Sequence, residues 1–186
     1  KVIANTTKSN FKQINATTAG KKEMEEAISE AKISISMYKK KTILFIDEIH
    51  RFNKSQQDYL LPFVEDGTII LIGATTENPF FEVNKALISR SRVLELKPLS
   101  YNDIESILNK AIKDKERGMG KYELDISEEA IEFISKNADG DARNALNALE
   151  LAILTTDISA DGKIHIDINI ISECIQKKVL KYDKDG

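Results

Sequence analysis

Two apolar runs, "TILFID" (Thr42 to Asp47) and "TIILIGAT" (Thr68 to Thr75), constrain this chain more than anything else in it. Neither alternates apolar with polar residues, so neither reads as a strand with one wet face. Unbroken runs of Ile, Leu and Phe of this length read as strands buried on both sides of a parallel sheet. Parallel strands need long crossovers, and the intervening sequence supplies them as helices. Met24, Ala27, Ile28, Ala31, Ile35 and Tyr38 recur at helical spacing before the first run, and Tyr59, Leu60 and Phe63 do so between the two. "FKQINA" (Phe11 to Ala16) and "RVLEL" (Arg92 to Leu96) add two more strand-like runs. The expected fold class is therefore α/β, a partial doubly wound parallel sheet.

The pattern changes after Pro98. Ser100 with Asp103 makes a capping-box-like start, and Ile104, Ile107, Leu108, Ala111 and Ile112 form one helical stripe. Helices are expected near Ser127 to Asn137, Asp141 to Thr155 and Ile168 to Lys178, with "KERGMGK" and "SADGK" as loops. An α/β part over 1–99 followed by an all-helical part over 100–186 is the expected division.

Composition excludes several classes. With 27 Lys+Arg against 30 Asp+Glu the net charge is -3, so there is no global electrostatic case for nucleic acid. The single cysteine, Cys174, excludes an internal disulfide and reads as a small residue on a helical face. No apolar run has the length to cross a bilayer, and "KVIANTTKSNFK" lacks the apolar centre of a signal peptide. A cytoplasmic location without a membrane partner is expected. The chain opens on Lys1 in already patterned sequence, which suggests a piece of a longer protein.

In open parallel sheets, ligands bind beyond the carboxyl ends of the strands. Asp47 and Glu48 stand at one such end, and Thr75 and Thr76 at the next. A carboxylate ending an apolar strand is how nucleoside triphosphatases hold hydrated Mg2+, and a second beside it can activate water for attack on a phosphoryl group. A threonine hydroxyl on the neighbouring strand can help to orient that water. The plain alternative for Asp47 and Glu48 is a solvated loop start. A nuclease with two metals needs three or more convergent acidic groups, and only these two are well placed.

Arg143 falls in the first turn of a helix capped by Asp141, where a cation opposes the helix dipole and needs a compensating anion. A phosphate, or an ion pair with Asp139 or Asp141, satisfies that need equally well. Arg90 and Arg92, in "LISRSRV", sit where a helix ends, and a cation is favourable there without any ligand. A phosphate-cradling G-x-x-x-x-G-K-[ST] loop is missing. Its nearest match, "NATTAGKK", has Asn15 for the first glycine and Lys22 for the hydroxyl, and is rejected.

Taken together, "ILFIDEIHRFNKSQQDYLLPFVEDGTIILIGATTENPFFEVNKALISRSRV" and "GDARNALNALE" closely resemble the AAA+ ATPases of the clamp-loader clade. Within that clade the chain looks like the family of replication-associated recombination proteins related to Werner-helicase-interacting protein. The resemblance implies ATP and Mg2+ as cofactors. It makes Asp47 and Glu48 a Walker B pair, Asp47 organising Mg2+ and Glu48 activating water. Thr76 then matches the first sensor with Thr75 beside it, and Arg90 an arginine finger acting on the neighbouring subunit, with Arg92 its companion. Arg143 matches the second sensor. His50 and Arg51 belong to the shared stretch without an implied role.

The resemblance further implies a phosphate loop before Lys1 and an oligomerisation region after "KYDKDG". On that reading the 186 residues alone are inactive, and the parent is a nucleoid-associated homo-oligomer acting on DNA at stalled forks or recombination intermediates. Single-strand-binding or replisome proteins are implied companions. The competing readings are a clamp-loader or branch-migration subunit, or a non-catalytic binding module.

Overall fold

The computed structural model describes residues 2–182, with side chains through Gln176. It divides into two compact units, one ending at Glu95 and the other starting at Leu96. The sequence pattern places that division after Leu99.

In the first unit a short helix α1 (Val2–Thr6) leads into β1 (Asn10–Asn15), then α2 (Lys21–Tyr38), β2 (Thr42–Asp47), α3 (Lys54–Glu65) and β3 (Ile69–Gly73). Two one-turn helices follow, α4 (Pro79–Glu82) and α5 (Lys85–Ile88). The strands form a parallel sheet in the order β1-β2-β3. Asn15 stands opposite Asp47, and Ile46 opposite Gly73, so all three carboxyl ends emerge along one edge.

The central strand is buried on both faces, as its lack of alternation requires: Ile43, Leu44 and Ile46 are each no more than 2% exposed. Met24, Ala27, Ile28 and Ala31 of α2 and Leu60 of α3 complete this core. The stripe read along α2 stops short of its end, because Tyr38 lies in the last turn and is exposed. α3 starts on a reciprocal cap, Asn53 Oδ1 accepting from Gln56 N–H and Gln56 Oε1 accepting from Asn53 N–H, both at 2.9 Å.

The expected strand at Arg92 to Leu96 does not form. This stretch has no regular structure, and Leu94 and Leu96 are 81% and 92% exposed. A strand exists only through a ladder of N–H and C=O groups on a neighbour, and nothing among the described residues pairs with this one.

The second unit contains α6 (Tyr101–Lys113), β4 (Leu124–Ile126), α7 (Glu128–Asn137), α8 (Ala142–Thr155), β5 (Ile164–Ile166) and α9 (Ile168–Tyr182). The helices stand where periodicity places them, α6 and α8 opened by their expected caps, Ser100 and Asp141, and α7 by Ser127. One addition escaped the pattern: β4 and β5 pair in parallel, Asp125 opposite His165. Three residues each are too few to show alternation. Ile104, Leu108, Ile134, Leu149, Ile153 and Ile171 fill the core, with Cys174 buried and free beside them.

Candidate active site

The site is built by what happens after β2. Its last residue, Asp47, is followed by Glu48 in the left-handed region (φ 53°, ψ 46°), which a non-glycine residue occupies only when its surroundings hold it there. That turn sends the chain back toward β3. Ile49 N–H donates to Ala74 C=O at 2.9 Å, and Ala74 N–H to Ile46 C=O at 2.9 Å. A Cβ on Gly73 would lie 3.0 Å from Ile49 Cδ1, so the glycine leaves the space into which the Ile49 side chain packs. One 3-10 turn, Ile49–Arg51, then presents His50 to the same strand end.

Four side chains converge here. Thr76 Oγ1 donates to Glu48 Oε2 at 3.3 Å, which joins the two positions expected to work together. His50 Nδ1 lies 3.3 Å from the same Oε2 and 2.8 Å from Thr75 Oγ1. Thr75 Oγ1 in turn accepts from Glu77 N–H at 3.0 Å, closing the turn after β3. The His50 side chain is 7% exposed and that of Glu48 31%. Asp47 is partly exposed at the same edge, with no hydrogen bond or ion pair to its carboxylate among the described residues.

Asn15 and Ala16 of the rejected "NATTAGKK" reach this edge too, Ala16 N–H donating to Asp47 C=O at 2.9 Å. The segment is a strand, a turn and a helix. Its Asn15 side chain folds inward, Oδ1 accepting from Thr17 N–H and Oγ1–H, so it cradles no anion through those groups.

In the first unit, Arg90 makes its contacts outside this cluster. Arg90 lies just beyond α5, Nη1 donating to Ala86 C=O at 3.0 Å, and Nη2 pairs with Glu65 Oε1 at 2.6 Å. Both interactions belong to the helix-end role that needs no ligand. Arg92 is exposed and makes no ion pair among the described residues. In the second unit Arg143 follows Asp141, whose Oδ1 accepts from the N–H groups of Arg143 and Asn144 at 2.7 and 3.3 Å. Those bonds use the backbone of Arg143. Its guanidinium forms no ion pair with Asp139 or Asp141, which leaves the expected compensation for the dipole unmet within the described residues.

His50 is the site residue that sequence reading passed over. Its signal was the spacing D-E-x-H, in which a tight turn after the strand returns the second residue beyond Glu48 to the Glu48 carboxylate.

A parallel sheet flanked by helices, with adjacent carboxylates and a threonine on neighbouring strand ends, is the architecture of a nucleoside triphosphatase core. The chain belongs to the AAA ATPases: residues 1–99 match the ATPase family associated with various cellular activities, and residues 120–186 match the AAA C-terminal domain. More particularly, it is 47% identical over 184 residues to replication-associated recombination protein A of Bacillus subtilis, covering 99% of this chain and 42% of that protein. It is 44% identical over 152 residues to ATPase WRNIP1 of Dictyostelium discoideum, covering 82% of this chain and 17% of that protein. Among solved structures, the Thermotoga maritima RuvB Holliday junction branch migration motor matches with a TM-score of 0.68 at 25% identity, over 94% of this chain and 55% of that one. The chain thus spans about two fifths of the bacterial relative's length. The family resemblance read from "DEIHRF" and "GATTENPFFEVNKALISRSRV" is the one these comparisons return.

Proposed function

We propose that this chain forms part of an ATPase that hydrolyses ATP to act on DNA at stalled forks or recombination intermediates, with its chemistry at the β2 and β3 strand ends. The observation that carries the reading is the Thr76 Oγ1 to Glu48 Oε2 hydrogen bond beside an unengaged Asp47. In the proposed reaction Glu48 takes a proton from a water molecule. The water oxygen bonds to the γ-phosphorus as the bond to the bridging oxygen breaks, and ADP leaves with that electron pair. Thr76 fixes Glu48 and the water against one another.

The donor set fits Mg2+. Among the described residues no group of three or more acidic, histidine or cysteine side chains gathers into a metal cage. A single free carboxylate is what hydrated Mg2+ takes from a protein when phosphates and water complete its shell. Asp47 would hold it, and the ion would supply charge neutralisation for the phosphates.

Arg90 is proposed as the cation supplied to a neighbouring subunit, with Arg92 as its companion, and Arg143 as the cation that senses the γ-phosphate. Thr75 is reassigned from the nucleotide to His50, where its hydroxyl is engaged. The 186 residues contain no G-x-x-x-x-G-K-[ST] motif, so taken alone they are proposed not to turn over ATP. DNA, further copies of the chain and single-strand-binding or replisome proteins are the proposed partners. Among the described residues no helix is long and apolar enough to cross a membrane.

The deciding experiment is Glu48→Gln in the full-length protein, measuring ATP binding by calorimetry and turnover by phosphate release. Binding within about threefold of wild type with turnover down about 100-fold or more is expected for loss of a general base. Wild-type turnover would remove Glu48 from the chemistry.

A further inference from the structure

The His50 Nδ1 atom has two oxygen neighbours, Thr75 Oγ1 at 2.8 Å and Glu48 Oε2 at 3.3 Å. An ionised carboxylate only accepts hydrogen bonds, whereas a hydroxyl does either. If Thr75 donated to Nδ1, the ring lone pair would lie toward Oε2 with no proton between them. If Nδ1 carries the proton, it donates to Thr75 Oγ1 and turns its positive edge toward Oε2 as an electrostatic contact at 3.3 Å, while the Thr75 hydroxyl donates to Glu77 C=O at 3.5 Å. The contacts are all satisfied only in the second arrangement, which assigns Nδ1–H.

This accounts for Glu48 more fully than Thr76 does. Glu48 is in a left-handed backbone conformation with its side chain partly in solvent, so its carboxylate needs restraint to hold one direction. Both restraints fall on the same atom: Oε2 takes the Thr76 hydroxyl and faces His50 Nδ1, while Oε1 makes no hydrogen bond among the described residues. Because His50 is nearly enclosed and tied to the turn after β3 by Thr75, it is the less mobile of the two anchors.

We infer that His50 is a positioning residue for the ATPase reaction: its Nδ1–H, donated to Thr75 on the β3 turn that carries Thr76, faces Glu48 Oε2 at 3.3 Å, steadies that carboxylate electrostatically and leaves Oε1 to take the proton from water. The inference rests on the reading of Glu48 as the base, and deepens it by naming the atom that acts and the residue that aims it.

Variants of the full-length protein test it. His50→Phe keeps an aromatic ring but removes the donor. His50→Asn places an amide N–H close to the former Nδ1. Turnover of His50→Phe at saturating ATP should fall about 10- to 100-fold with the ATP dissociation constant within about twofold of wild type, since a small error in the base is costly only in the chemical step. His50→Asn should recover at least about a third of wild-type turnover. Thr75→Val removes the hydroxyl at the other end of the link. It should lower turnover in the same direction, and combining it with His50→Phe should add less than the product of the two losses.

Equal losses in His50→Phe and His50→Asn would show that ring packing and not the donor matters, and would overturn the assignment. So would wild-type turnover in His50→Phe. If His50→Phe does not fold, unchanged turnover in Thr75→Val overturns the coupling by itself. Glu48→Gln separates the two readings: once the base is gone, adding His50→Phe should cost nothing further. A further loss there would mean that His50 acts on something other than Glu48, even where Glu48 is the base.

Discussion

Arg90 is held by Glu65, Nη2 to Oε1 at 2.6 Å, at the end of α3 farther from the carboxylates of the site. α3 begins just after the turn that carries Glu48 and ends just before β3 starts, so it runs back along the sheet. Its 12 residues span about 18 Å. Arg90 is therefore anchored at the opposite end of α3 from the turn that carries Glu48, and its proposed role is on another copy of the chain. Mixing full-length Arg90→Ala with wild-type protein is expected to lower ATP turnover by more than dilution of the wild type explains. Turnover proportional to the wild-type fraction would reject action between subunits. The ion pair is half-exposed, and such pairs stabilise by about 1 kcal/mol or less. Glu65→Gln should accordingly leave thermal unfolding close to wild type.

Gln57 fixes the segment that leads to Arg90. It is 1% exposed and spends its amide on three backbone groups, Nε2 donating to Phe52 C=O at 2.9 Å and Glu82 C=O at 3.3 Å, and Oε1 accepting from Asn84 N–H at 2.7 Å. Replacement by leucine of similar size leaves those groups without their partner. Gln57→Leu should destabilise the protein by about 2–4 kcal/mol, read as a shift of the urea midpoint. A change below about 0.5 kcal/mol would mean that α4 and α5 are held by packing alone.

Local and distant information divide clearly along this chain. β2 was legible to the residue, because being buried on both faces leaves a strand no polar positions. The caps at Ser100 and Asp141 were equally legible, since a cap is settled within four residues. "RVLEL" was misread for the opposite reason: its β-branched and apolar content describes half of an interaction whose other half must come from a neighbouring backbone. β4 and β5 were missed because three residues carry no period, and their pairing joins positions forty apart, Asp125 to His165. The placing of Asp47, Glu48 and Thr76 together beyond the strand ends was readable from the sequence. The contact of His50 with Glu48 was not, because it depends on the left-handed turn at Glu48, which residue types alone do not announce.

His165 supplies a pH dependence in the second unit. Its ring sits between Asp161, Nε2 to Oδ2 at 2.9 Å, and Asp125, Nδ1 to Oδ2 at 2.8 Å. The hydrogen bond to Asp161 first, and that to Asp125 next, raise its pKa above the ordinary histidine value. A pKa raised by folding adds stability that is fully present below the unfolded value of about 6.5 and is lost as the pH rises through the folded one. Asp161 is lowered, chiefly by the Lys163 backbone N–H, so its contribution is present above about 3.9 and lost as acid protonates the folded carboxyl. Both act together between about pH 4 and 6.5. The melting temperature of His165→Gln should fall below wild type at pH 5.5, and the gap should narrow by pH 9. A gap independent of pH would show that the charge on His165 contributes nothing.

Arg143 gives the sharpest separation of stability from function. Arg143 stands in the first turn of α8, at the positive end of the helix dipole, while Asp141 already caps the two N–H groups there. A cation in that position destabilises a helix by about 0.3–1 kcal/mol. Arg143→Ala is therefore expected to leave thermal stability unchanged or slightly higher while ATP turnover of the full-length protein falls at least about 10-fold, as for a cation that meets the developing phosphate charge. Asp141→Ala makes the contrast, since it removes the cap and should cost about 1 kcal/mol of stability. If Arg143→Ala loses stability and keeps its turnover, the guanidinium serves the fold, and the phosphate-sensing role assigned to it is wrong.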